Sequence, residues 1–311
     1  MSIVFLFPGQ GSQSTGMLHQ LLDHPEVERT LDEVSSVLGA DVRGLDSEEA
    51  LASSVSVQLA LLASGVATAR ALIEKGAQPS VVCGLSVGAF AAAVVADVLS
   101  LEDAVEMVKL RAEKMVELYP TGYGLSAIIG LGESQVLSIV QAVTTEQEPV
   151  FLANINAPLQ TVIAGSDAGM ELALDWARRQ GARKAERLEV SVPSHCPLLQ
   201  PVADLLQHRF SSLRLSKPGL TYIGNVNGRA MRTPELIATD LANNIAHGVR
   251  WHDATTVARE LGCNLFLEMP PGHVLSDLAR ENLPGVNALA VEREALPRLL
   301  RLAQQEITAG G

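Results

Sequence analysis

The sequence predicts an α/β protein built on a mainly parallel sheet, with a smaller β-α-β-β-α-β unit set into the chain. Three observations predict it. Short apolar runs free of interior charge, at residues 3–7, 80–83 and 264–268, each end at glycine or proline, as strands buried on both faces do. Helical patterns separate these runs, and such alternation builds a parallel sheet with helices on its faces. The middle of the chain has a different order of elements, that of a ferredoxin-like unit.

Taken in order, residues 3–7 read as a strand that stops at the turn Pro8-Gly9-Gln10-Gly11. Residues 80–83 form a second strand and residues 89–98 an Ala-rich helix, joined by Gly84-Leu85-Ser86-Val87-Gly88. The middle supplies a strand at 125–131, a helix at 133–143, strands at 150–155 and 161–164, a helix at 168–180 and a last strand at 185–192. Residues 264–268 return to the parallel pattern and stop at Pro270-Pro271-Gly272. Gly122 and Gly124 on one side and Pro193 on the other mark the junctions. The expected division is a large domain of residues 1–124 and 194–311, with residues 125–193 as the small domain.

Composition narrows the function classes. Of 311 residues, 47% are hydrophobic and 19% charged, which argues for a folded chain rather than a disordered one. A net charge of −12 leaves no broad cationic face for nucleic acid. Cys83, Cys196 and Cys263 are too scattered for a disulfide framework and fit a reducing compartment, and no metal-ligand spacing stands out. The first residues have no basic stretch and only a five-residue apolar run, so they do not read as a signal peptide. Residues 51–69 and 77–96 lack charge and approach membrane-spanning length, but Ser and Gln stud the first and Pro79, Gly84 and Gly88 break the second. A cytoplasmic protein outside the membrane is expected.

The chemistry centres on Ser86. A Gly-x-Ser-x-Gly between strand and helix is the context of a nucleophile elbow, where a sharp turn lifts the hydroxyl over the sheet edge. The helix that follows directs its free N–H groups at any anion formed there. Such a hydroxyl needs a base. Of seven histidines, His195 follows Val192-Pro193-Ser194 at the exit of the small unit and is favoured. His19, His24 and His208 are expected at the surface; His247, His252 and His273 stay open. Arg111 reads either as a solvated helix residue or, if it points inward, as a bidentate clamp for a carboxylate.

Phe7-Pro8-Gly9-Gln10-Gly11-Ser12-Gln13, the Ser86 elbow, Lys109-Leu110-Arg111, Val192-Pro193-Ser194-His195-Cys196, Gly224-Asn225-Val226, Val249-Arg250-Trp251 and Glu268-Met269-Pro270-Pro271-Gly272 occur in that order. Together they resemble the malonyl-CoA:acyl-carrier-protein acyltransferase family over nearly the whole chain. The resemblance implies an α/β-hydrolase-like core with a ferredoxin-like insert and a ping-pong transfer. It also implies no bound cofactor, malonyl-CoA as the substrate and a pantetheine-type thiol on a carrier protein as the acceptor. It makes Ser86 the nucleophile and His195 its base, the Gln10 and Val87 N–H groups an oxyanion hole, and Arg111 the partner of the malonyl carboxylate. Leu85, Asn156 and Ser194 fall against the substrate, and Asn244 stands where the family's histidine-orienting Gln carbonyl lies. Leu85 and Ala89 replace the family's usual His and Glu around the elbow. That variant resembles the epsilon subunit of malonate decarboxylase, the preferred reading, with the fatty-acid-synthesis transacylase as runner-up.

Two other classes compete. A serine hydrolase or thioesterase would need an acid such as Asp167 or Asp175 behind the histidine; a non-catalytic carrier-docking subunit would not need Ser86 at all. The run Arg178, Arg179, Arg183, Lys184 and Arg187 reads either as a solvated helix end or as a dock for an acidic carrier.

Overall fold

Strand β1 (Ser2–Phe7) lies inside the larger sheet, paired in parallel with β2 (Val81–Gly84) on one side and β9 (Cys263–Glu268) on the other. The computed structural model describes residues 2–310. The sheet runs β10-β9-β1-β2-β7-β8, where β7 is Thr221–Ile223, β8 is Ala230–Met231 and β10 is Asn287–Ala290; only β8 is antiparallel. The unbroken apolar run of β1 follows from burial on both faces. Ile3, Phe5 and Phe7 pack into one core with α2 (Ser54–Glu74), α3 (Gly88–Val95) and α4 (Leu101–Leu118). Val4 and Leu6 pack into another with Trp251 and Leu275, from α9 (Trp251–Glu260) and α10 (Val274–Asn282). Around the first core lie α1 (Pro25–Leu38), α7 (Gln200–Phe210), α8 (Pro234–Asn243) and α11 (Leu296–Gly310). Among the described residues α2 is the one helix long and apolar enough to cross a membrane, and most of it is buried inside the protein.

The second sheet has four antiparallel strands in the order β4-β5-β3-β6. These are β3 (Tyr123–Ile129), β4 (Val150–Ala157), β5 (Gln160–Ser166) and β6 (Lys184–Arg187), and α5 (Glu133–Val143) and α6 (Asp167–Arg179) cover one face. Ile128 and Ile163 pack there against Val136, Ile139 and Met170. The other face turns Leu125, Ala127 and Val162 toward a cleft between the two sheets. Backbone bonds tie the second sheet to the segment just before α9: Ile155 N–H donates to Val249 O and Val249 N–H to Ala153 O, both at 2.8 Å. Arg250 adds a 2.6 Å ion pair to Glu133.

Three expectations need correction. The last strand ends at Arg187, not at residue 192: beyond Leu188 N–H, which still donates to Leu125 O at 3.0 Å, the chain turns to line the cleft. It peels off beside Gly124, where a Cβ would lie 2.3 Å from Val190 O. Helix α3 stops at Val95, short of residue 98, because Asp97 takes a left-handed φ of 62° and closes the helix end. Strands β7, β8 and β10 were not expected; two to four residues are too few to show a period.

Candidate active site

The elbow is built by close backbone approach. A Cβ on Gly84 would fall 2.1 Å from the Gly88 carbonyl carbon, and one on Gly88 would fall 2.2 Å from Phe7 O. Only glycine fits at either position, so strand and helix meet in a turn tight enough to hold Ser86 at φ 56°. For a residue with a side chain that conformation costs on the order of 1–3 kcal/mol. The Asn225 amide offsets it from both sides: its Oδ1 accepts from Ser86 N–H at 2.9 Å and its Nδ2 donates to Gly84 O at 2.8 Å.

His195 completes a pair with Ser86. Its Nε2 lies 2.8 Å from Ser86 Oγ and its Nδ1 lies 2.5 Å from Asn244 O. A carbonyl can only accept, so Nδ1 carries the proton and Nε2 is left free to accept the serine proton. His195 also sits at a left-handed φ, 65°, anchored by its N–H to Ile245 O at 2.7 Å. Burial, then the nearby Arg111 cation, push its pKa down to about 3, against the opposing pull of the Asn244 carbonyl. It is therefore neutral, and basic in form, throughout the physiological range. Folding stability should feel this. An unfolded histidine titrates near 6.5, so below that pH the unfolded chain takes up a proton that the folded chain refuses. Stability is lost as pH falls from about 6.5 toward 3, by about 1.4 kcal/mol per unit. Urea unfolding of wild type and His195→Gln between pH 7 and 4.5 should give wild type the steeper loss by that slope; parallel curves would refute it.

Arg111 is not solvated. It is 1% exposed, its Nη1 donates to Gln58 Oε1, and its Nη2 donates to Ser86 Oγ at 3.1 Å. Burial lowers its pKa to about 9, so it stays cationic at neutral pH. Among the described residues no carboxylate lies within 4.0 Å of it, and its Nε has no partner. A buried cation held only by a neutral amide and a hydroxyl can receive an anionic group brought in by a ligand.

Ser86, His195 and Arg111 open onto a cleft of about 570 Å³ that Gln10, Leu85, Val87, Asn156 and Ser194 also line. In the elbow, Leu85, Ser86 and Val87 carbonyls accept the N–H groups of Gly88, Ala89 and Phe90. With Ser86 N–H given to Asn225, the Val87 N–H is the turn's uncommitted donor. Gln10 is held from behind by its Nε2 bond to Ser54 Oγ at 3.2 Å. Leu85 is half-buried against the core that holds Val4 and Leu6.

The other histidines stand away from Ser86. His24 is buried, against expectation, because it caps α1 by accepting from Glu26 N–H. His19 pairs with Asp46, His273 with Asp277, and His247 contacts Asn243 O. Asp167 and Asp175 pair with Arg187 and Arg178, while a carbonyl occupies the His195 Nδ1. No hydrolase-type acid stands behind this histidine among the described residues. Lys184 pairs with Glu186, so Arg179 and Arg183 are the exposed cations of that run without an acidic partner among the described residues. Sequence reasoning missed Gln58 and the amide role of Asn225. The signal for Gln58 was its place as the one large polar side chain in the charge-free stretch 51–69.

Residues 4–301 match the acyl transferase domain family. A malonyl CoA-acyl carrier protein transacylase of Haemophilus influenzae is 36% identical over 293 residues, 92% of this chain and 94% of that protein. The solved transacylase of Coxiella burnetii superposes with a TM-score of 0.92 at 35% identity, over 99% of this chain and 98% of that one. A malonyl-transacylase solved in complex with its type II PKS acyl-carrier protein gives a TM-score of 0.91, also at 35% identity, over 98% and 99% of the two chains. A family match over nearly the full length, on a fold that places Ser86, His195 and Arg111 together, shows that this chain belongs to the acyl transferase family.

Proposed function

We propose that this protein transfers a malonyl group from malonyl-CoA to the pantetheine-type thiol of a carrier protein, through a malonyl ester on Ser86. The observation that carries the reading is the buried Arg111 guanidinium, without a carboxylate partner among the described residues and 3.1 Å from Ser86 Oγ. A malonyl thioester supplies the missing carboxylate two bonds from its reacting carbonyl. Ser86 Oγ attacks that carbonyl and His195 Nε2 takes the hydroxyl proton. The Gln10 and Val87 N–H groups receive the oxyanion, each such donor being worth roughly 3–4 kcal/mol in the transition state. The intermediate collapses, the C–S bond breaks, and CoA leaves as the thiol with the proton from His195. In the second half the carrier thiol gives its proton to His195 and attacks the ester, and Ser86 recovers its hydroxyl. The names of the relatives described above support the same reading.

Two finer readings belong with it. Residues 125–193 form a ferredoxin-like domain inserted into an α/β-hydrolase-like core; the strand order β4-β5-β3-β6 and the separate core under α5 and α6 support this. The acceptor has two candidates. The relatives' names favour a fatty-acid-type acyl carrier protein. Leu85 and Ala89, in place of the family's usual pair, favour the carrier subunit of malonate decarboxylase. Three free, buried thiols suit a cytoplasmic setting.

Intact mass measurement after brief mixing with malonyl-CoA, with acetyl-CoA in parallel, tests the reading. A malonyl adduct that is cleared by one carrier and not the other establishes transfer and names the acceptor. Free malonate without an adduct would overturn it in favour of hydrolysis.

A further inference from the structure

Ser86 and His195 lie 109 residues apart in the chain, each in a left-handed backbone conformation, and their contact depends on what holds the two turns at a common distance. Both supports lead to one residue. On the serine side, the amide of Asn225 bridges Ser86 N–H and Gly84 O. Asn225 is in turn fixed by its own N–H, which donates to Asp240 Oδ1 and Oδ2 at 2.9 and 3.0 Å. On the histidine side, Asn244 O accepts from His195 Nδ1, and Asn244 N–H donates to the main-chain oxygen of Asp240 at 2.8 Å.

Asp240 is 3% exposed and near the end of α8. Its carboxylate acts throughout as an acceptor, taking Val226 N–H at 3.0 Å and Tyr222 O–H at 3.0 Å besides Asn225. Burial pushes its pKa up while the Val226 and Asn225 N–H groups and the Tyr222 hydroxyl pull it back. Gly224 makes room: a Cβ there would lie 2.8 Å from Asp240 Oδ1. Among the described residues no cation pairs with this carboxylate, so these neutral donors carry the burden of keeping it buried.

We propose that Asp240 is the positioning residue of the Ser86–His195 pair, its carboxylate holding the serine turn through Asn225, while its main-chain carbonyl, which any residue here would supply, receives Asn244 N–H. It touches neither substrate nor the reacting atoms. The inference rests on the malonyl-serine reading above. A purely structural role would cost stability and leave the chemistry of the folded protein alone. A positioning role costs rate at saturating substrate, because a small misplacement of a nucleophile loses on the order of 10²-fold.

The test is single-turnover acylation by malonyl-CoA, read as adduct mass against time over a range of concentrations. Asp240→Ala and Asn225→Ala should each lower the limiting rate about 10²-fold, with the half-saturating concentration within about threefold of wild type, since Arg111 is untouched. The double variant should be no slower than the slower single one, because both act through one chain of bonds. Asp240→Asn keeps an oxygen toward Asn225 and Val226 and offers its amide to the Tyr222 oxygen, so it should stay within about tenfold of wild type. A limiting rate near wild type in Asn225→Ala or Asp240→Ala, or additive losses in the double variant, would overturn the proposal. If Asp240→Ala does not fold, Asn225→Ala and Asp240→Asn decide by the same criteria. If wild type itself takes up no malonyl group, it is the reading of the function that has failed, not the role of Asp240.

Discussion

A Ser86→Ala protein is expected to bind malonyl-CoA and never take up its acyl group, with transfer to any carrier down by on the order of 10⁴–10⁶-fold. The size of the loss comes from what Ser86 combines. Its hydroxyl is held at once by the free Nε2 of His195, at 2.8 Å, and by an Arg111 N–H, at 3.1 Å. Removing it leaves the Gln10 and Val87 N–H groups and the Arg111 guanidinium in place, so binding should survive while the bond-forming step does not. Affinity should be unchanged or slightly tighter, because the Arg111 Nη2 that served the hydroxyl becomes free for the ligand. Calorimetry of Ser86→Ala with malonyl-CoA, beside the mass measurement, checks both halves. Retained transfer in this variant would place the nucleophile elsewhere.

Arg111→Ala is expected to remove the preference for malonyl over acetyl groups. Hydrogen bonds to a charged group contribute roughly 1.5–3 kcal/mol each. Two such bonds from a guanidinium to a carboxylate therefore correspond to a selectivity on the order of 10²–10⁴. The malonyl-CoA acylation rate should fall by that order while acetyl-CoA acylation holds or rises. The variant also removes a cation that lowers the His195 pKa, so the base should become stronger at the same time. Arg111→Lys should recover only part of the selectivity, because an ammonium cannot reproduce the planar fork or reach Gln58 and ligand together. Competition between the two thioesters, read from the adduct ratio, is the measurement. An unchanged ratio in Arg111→Ala would show that the carboxylate is bound somewhere else.

Much of the site was legible because its constraints are local. Gly84 and Gly88 are dictated by neighbouring backbone so close that a Cβ would fall 2.1–2.2 Å from it, and that constraint leaves a spacing in the sequence that any reader can see. Gln58, Asn225 and Asp240 lie 28, 139 and 154 positions from Ser86 along the chain, and nothing in the local pattern of an amide or a carboxylate announces a partner that far away. Arg111 shows the same limit. On its helix it reads as one more charged residue, and its burial follows from the packing of α4 against α2 rather than from its neighbours in sequence.

The sequence by itself determined the strand-and-helix alternation, the elbow around Ser86, and the order of motifs that marks the family, since each depends on residues near one another in the chain. Tertiary structure alone decided which histidine meets Ser86, which nitrogen of it is free, that Arg111 is buried without an acidic partner among the described residues, and that the Asp240 carboxylate stands behind the serine turn through Asn225. The physical reason is burial. Desolvation and hydrogen bonding act over a few ångströms in space, whatever the distance along the chain, and only the folded sheets bring those residues within range.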